Sequence, residues 1–194
     1  MHTPHSLHPS RRAQASAEFR EILDVIGARR SVRSFLKREV PEELLAKIFE
    51  AIRRAPSAGN LQAFVVYQVT GRRALKRLAH AAEEQAFIAE APVALVFCAD
   101  PAHSAWRYGA RGERLYALQD ATIACAYAQL AAASIGLGTV WIGAFSEPEV
   151  ASIVDAAEGQ VPIAILPIGF PAEAGQPTPR RPLGAIIRRA GDDD

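Results

Sequence analysis

The chain has 194 residues, 49% of them apolar and 22% charged. That is enough for one compact domain with a real core, and short for two. A formal net charge of +1 argues against a nucleic-acid surface or a polybasic membrane anchor. No apolar run is long enough to span a bilayer, and Met1–Ser10 lacks the apolar centre of a signal peptide. Cys98 and Cys125 lie in apolar runs without CxxC spacing, which predicts buried, reduced thiols and a cytoplasmic protein.

In chain order, residues 1–15 read as a flexible tail. His2, His5 and His8 stand there at regular spacing beside Pro4 and Pro9, with no second ligand set to complete a metal site. A single domain is expected over 16–194. Ser16 is a fitting N-cap for a first helix, whose stripe is Phe19, Ile22, Leu23 and Ile26, with Gly27 as its stop. After the polar stretch 29–38, Pro41 opens a second helix at its first position, burying Leu44, Leu45, Ile48, Phe49 and Ile52. Pro56 closes it.

Residues 64–70 (FVVYQVT) predict a strand. Residues 71–90 predict a helix. The apolar run 93–99 (VALVFCA) predicts a central strand buried on both faces. The longest helix is expected over 113–135, Ala-rich and suited to close packing on other helices. Asp120 and Glu113 on it are read as solvent-facing or helix-end groups. A third strand is expected over 139–142. Ser146–Glu149 has the form of a capping box with Pro148 in the first turn. A fourth strand follows over 161–168, where Pro162 and Pro167 restrict pairing. This order gives an α+β or α/β layer structure. The late apolar pair Ile186–Ile187 has no place in a single-chain core and suits a partner subunit.

Four segments carry candidate chemistry. Arg29, Arg30, Ser31 and Arg33 fall within five residues (RRSVR), and guanidinium forks suit a phosphate. A solvated basic loop fits the same residues. Pro56, Ser57, Ala58, Gly59, Asn60 and Gln62 (PSAGNLQ) combine turn formers with two amides. Those amides match the edge of a heterocycle with alternating N–H and C=O groups, such as an isoalloxazine, and Gly59 permits close backbone approach. A helix-to-strand turn fits equally. GLGTVWIGAF (136–145) contains neither GxGxxG nor GxxxxGK[ST], which excludes a dinucleotide fingerprint or P-loop. Gly143 in it can present a backbone amide, or simply end a strand. Arg180 and Arg181 sit in an extended, proline-stiffened segment, PRRPL.

Taken together, in this order and spacing, these segments resemble the nitroreductase family of FMN-dependent oxidoreductases, over nearly the whole chain from about Ser16 to about Arg189. RRSVRSF and PSAGNLQ are the most specific marks; GLGTVWIGAF, IGFPAE and PRRPL follow in family order. The resemblance implies an α+β, three-layer fold. Its central sheet, mostly antiparallel or mixed, is flanked by helices, and a C-terminal extension is exchanged with the partner subunit. It implies a homodimer with FMN at the interface. Arg29, Arg30, Ser31 and Arg33 would hold its phosphate and ribityl chain, with Arg180 and its neighbour Arg181. Pro56, Ser57, Ala58, Gly59 and Asn60 of the other subunit, extended by Gln62, would lie against the flavin. Gln85, on the helix after the first strand, would stand near the pyrimidine edge, and Ile142 and Gly143 by the ring.

The implied reaction passes hydride from NADH or NADPH through flavin N5 to a nitroaromatic, quinone or similar acceptor, by a ping-pong scheme. No side chain is required as acid or base, so no catalytic residue is assigned. Two departures bear on specificity: Ala63 and Phe64 follow where many relatives carry proline and an aromatic, and Gly143 stands where some carry glutamate. Residues 101–112, with Trp106, Arg107 and Tyr108, are the expected cover of the substrate face. Trp106 and Tyr108 can stack on an aromatic substrate or pack on their own domain. Other functions fit the same family: a flavin carrier or sensor without turnover, enone reduction, or flavin fragmentation. A helical interaction domain without cofactor is the plain alternative.

Overall fold

The computed structural model describes residues 22–191. The tail expected over 1–15, with its three histidines, and the proposed cap Ser16 and Phe19 lie outside the described residues.

Helix α1 covers 22–28, so Gly27 falls in its last turn. Helix α2 is Glu42–Arg53, with Pro41 as its N-cap rather than its first helical residue. Leu45, Ile48 and Ile52 form its buried side, while Phe49 stays more exposed than its spacing predicts. Strand β1 is Phe64–Val69. The single helix expected over 71–90 is two, α3 (Arg72–Ala81) and α4 (Phe87–Glu90). Glu83 and Glu84 between them adopt positive φ, which ends a right-handed helix. Strand β2, Val93–Ala99, is buried throughout.

Helix α5 (Pro101–Arg111) starts on Asp100, whose carboxylate accepts from the His103 N–H at 3.0 Å. A π-turn over Gly112–Tyr116 joins it to α6 (Ala117–Ser134), the longest helix. Strand β3 is only Gly138–Thr139, shorter than the expected 139–142. Helix α7 is Glu147–Val154, and Ser146 caps it without a side-chain hydrogen bond, so the capping box does not form. Strand β4 is Val161–Gly169.

The sheet order is β1-β2-β4-β3, with every ladder antiparallel. Alternate residues of β2 feed two cores, as a pleat of period two requires. Val93, Leu95 and Phe97 pack with Ile48 of α2 and Ala124, Cys125 and Ala128 of α6. Ala94, Val96 and Cys98 pack with Leu75 and Leu78 of α3, Ile88 of α4 and Val150 of α7. The result is helix, sheet and helix in three layers. Pro167 explains why β3 is short. Ile142 and Ile165 exchange both backbone hydrogen bonds at 3.0 Å. Two residues on, Pro167 faces the same neighbour and has no N–H to offer, so the ladder lapses there.

Both cysteines are free and buried; burial pushes the Cys98 thiol up to about 12 and the Cys125 thiol upward as well. Among the described residues, no helix is long and apolar enough to cross a membrane.

Candidate functional site

The RRSVR segment is tied to the β3 edge. Ser31 bridges Thr139 in parallel, and the Val32 N–H donates to the Thr139 carbonyl at 3.0 Å. Its surroundings leave no room for side chains. A Cβ at Gly138 would come within 2.8 Å of Val32, and one at Gly175 within 2.6 Å of the Arg30 Cβ. Glycine at both positions lets these chains approach closely, beside a groove of about 840 Å³. Its walls include Arg29, Arg30, Leu137 and Thr139, and its far side is the turn 171–175. Arg30 braces the loop by donating to the carbonyls of Gly27 (2.6 Å) and Arg29 (2.8 Å). Arg33 is exposed. Neither Arg29 nor Arg33 takes part in an ion pair among the described residues. The donor set suits a phosphate.

The PSAGNLQ segment is built differently. Ala58–Asn60 forms one 3₁₀ turn, and Gly59, Asn60 and Gln62 have φ of 56°, 57° and 53°. Two non-glycine residues in the left-handed region need a reason. Asp120 of α6, 1% exposed, provides it. Its carboxylate accepts from the Ala58 N–H at 2.9 Å and the Ala63 N–H at 3.3 Å. Ser57 Oγ accepts from the Gln62 N–H at 3.0 Å. Asp120 is in the first turn of α6, as a helix-end group, but it is not solvent-facing; it is the buried anchor of the loop. The signal was present in the sequence: a lone carboxylate among Ala117, Ala121 and Ala124, on what becomes the inward face. Glu113 is exposed, as expected. The turn opens on a cleft of about 560 Å³, lined by Pro56, Ser57, Ala58, Tyr116 and Ile123 among others.

These two segments occupy opposite corners of the sheet. Ser31 lies beside Thr139, which pairs Ile168 and, beyond it, Val93 at one end. Ala63 leads into Phe64, which pairs Ala99 at the other end and on the far edge. The offset is roughly 20 Å along the strands and roughly 19 Å across them.

The remaining expected residues are scattered. Ile142 is 3% exposed and has both backbone groups on Ile165, so of that pair only the exposed Gly143 is placed to offer an amide. Gln85 lies in the turn between α3 and α4, not in a helix, and donates to the Ala82 carbonyl at 2.9 Å. Arg180 donates to the Thr178 carbonyl at 2.8 Å and Arg181 to the Ala185 carbonyl at 2.7 Å, both within their own segment. The two aromatics of α5 divide. Trp106 is 81% exposed, while Tyr108 packs edge-on to Tyr116 at 5.2 Å.

The layers define a three-layer α+β domain with a groove at one corner of its sheet and a backbone-presenting turn at the other. The chain belongs to the nitroreductase family, whose model matches residues 26–87 and 79–170. It is 34% identical over 179 residues to the FMN reductase [NAD(P)H] of Bacillus subtilis, covering 86% of this chain and 72% of that one. It is also 34% identical over 186 residues to an NADH dehydrogenase of Thermus thermophilus, covering 82% and 91%. The structure of the NADPH:FMN oxidoreductase of Vibrio harveyi, solved with NAD+, superimposes with a TM-score of 0.80 at 26% identity, covering 90% of this chain and 79% of that one.

Proposed function

We propose that this chain is an NAD(P)H-dependent FMN oxidoreductase. It works as a homodimer, each site built from the groove of one protomer and the 56–62 turn of its partner. The observation that carries this reading is the diagonal placement of the two segments. A ligand held by both needs a second chain to bring them together. Exposed apolar residues supply the surface for it: Ile22, Leu23 and Ile26 on α1, and Leu183, Ile186 and Ile187 near the C-terminus. The C-terminal segment wraps the partner, carrying Arg180 and Arg181 to the phosphate.

The groove fits the cofactor's anionic end. Arg29, Arg30, Ser31 and Arg33 bind the phosphate and ribityl chain. The turn fits the planar end. With Asp120 holding its backbone, Ser57, Gly59, Asn60 and Gln62 lie against the ring, and Gly143 offers an amide to its edge. Gln85 stands by the pyrimidine side. The chemistry supplied by bound FMN is two-electron hydride transfer from NADH or NADPH to a conjugated acceptor such as a nitroaromatic or a quinone, donor and acceptor taking turns in one place. The protein's part is to orient, to exclude water and to stabilise negative charge with arginines and amides. Exposed Trp106 is placed to stack on an aromatic acceptor. Two buried free thiols fit a reducing, cytoplasmic setting.

An anaerobic absorbance spectrum of the FMN-supplemented protein, taken before and after NADH and then NADPH, tests the reading. Flavin bands that bleach with either donor are expected. Bound flavin that neither donor bleaches would leave a carrier, and protein that retains no flavin would overturn the assignment.

A further inference from the structure

Helix α5 and the π-turn carry a cationic ridge that none of the roles above uses. Between Asp100 and Asp120 the chain has three arginines, Arg107, Arg111 and Arg114, against one carboxylate, Glu113. Asp100 is occupied with its helix cap and Asp120 with the 56–62 turn. Among the described residues, none of these arginines forms an ion pair.

Two of the three are braced. The Arg107 guanidinium lies 5.5 Å from the centre of the Tyr108 ring, and that of Arg111 lies 5.4 Å from the centre of Tyr116. The two tyrosines meet edge to face, and Arg111 Nε donates to the Tyr116 hydroxyl at 2.9 Å. Arg107 also donates to the Gly59 carbonyl, at 3.4 Å. Arg107, Tyr108, Tyr116 and Arg111 thus form one connected row. It begins on the turn assigned to the flavin face, and Tyr116 lines the cleft beside that turn. Stacking on a ring satisfies one face of a guanidinium and leaves its N–H edge free for an oxyanion.

We infer that Arg111, at the outer end of this row, receives the 2′-phosphate of the nicotinamide donor, with Arg107 adding positive potential at the inner end, and that the row makes this protein prefer NADPH to NADH. The inference rests on the reading of the 56–62 turn as the flavin face. A donor stacked there must run its adenosine half outward, and the ridge is the cationic surface contiguous with that turn. NADPH differs from NADH by one phosphate monoester, a group that an arginine fork recognises.

The test is steady-state kinetics with both donors on the wild type, on Arg111→Gln and on Arg107→Gln/Arg111→Gln, each first titrated with FMN. Arg111→Gln is informative by itself, because it does not touch the turn. The expected result is a wild-type preference for NADPH. In the single variant, kcat/KM for NADPH should fall by about tenfold through KM while NADH is nearly unchanged, so that the preference narrows or is lost. Added salt should reproduce part of that loss in the wild type only. Equal losses with both donors, or none, would overturn the inference. Loss of FMN binding by the wild type would instead overturn the flavin assignment on which it stands.

Discussion

The two corners of the sheet are built by opposite means. At the β3 edge, the 29–33 segment is held by backbone pairing with Thr139 and by two glycines that let chains approach closely, and its charges are left over. At the β1 edge, the 56–62 turn has no charge of its own. One buried carboxylate, Asp120, holds three left-handed residues in place. On the proposed reading, the first corner selects its ligand by electrostatics and the second by the shape and direction of backbone groups. Disrupting the first should release ligand from an intact fold; disrupting the second should cost stability as well.

The sharpest way to break this comparison is to place the two lesions on different chains. Arg29→Glu/Arg33→Glu should abolish FMN retention in its homodimer, and so should a variant disrupted at Gly59 and Asn60. A mixed dimer, isolated with two affinity tags, should regain about half the wild-type FMN, because one site then receives an intact corner from each chain. No recovery in the mixed dimer would mean that each site lies within one chain. The next largest effect belongs to the anchor. Asp120→Ala leaves the N–H groups of Ala58 and Ala63 without their acceptor, and should lower unfolding free energy by about 2–4 kcal/mol, read by urea denaturation. Arg29→Glu or Arg33→Glu alone should weaken FMN binding by at least about tenfold in fluorescence titration while the urea midpoint holds.

Gly59→Ala forces a side chain into the left-handed region and into the Tyr108 hydroxyl, costing about 1–3 kcal/mol. Adding Tyr108→Phe should return part of that loss; no return would mean that backbone strain alone sets the cost. The smallest effect is at Glu50, near the end of α2 that leads into the turn. Hydrogen bonds from Arg53 and Arg54 hold its carboxyl down to about 2, below the usual 4.5. A depressed folded pKa contributes stability above the ordinary value, and that contribution is lost as pH falls towards about 2. The Glu50 side chain is 44% exposed and its arginine partners more so, so Glu50→Gln should lower the melting temperature only slightly at pH 7, and the difference should vanish in high salt or acid.

Local pattern alone specified most of the elements. The β-branched run at 64–69, the uninterrupted apolar run at 93–99 and the Ala-rich stretch of α6 each have one stable use, and each takes it. Errors fell where tertiary context decides. The helix expected over 71–90 breaks at two glutamates with no breaker chemistry, and the strand after Gly138 stops because its neighbour across the sheet is Pro167. The residue types of RRSVR and PSAGNLQ suit an anion and a planar polar ring, but each also suits a plain basic loop or turn; the family resemblance of the whole set singled them out. What no linear pattern contains is distance. Only the sheet order shows that these segments stand at opposite corners of one chain. Only the packing of α6 turns Asp120, a surface charge by composition, into the buried acceptor that shapes the second corner. Charge, propensity and period are properties of neighbours along the chain. The partners of a buried carboxylate and the separation of two motifs are properties of neighbours in space.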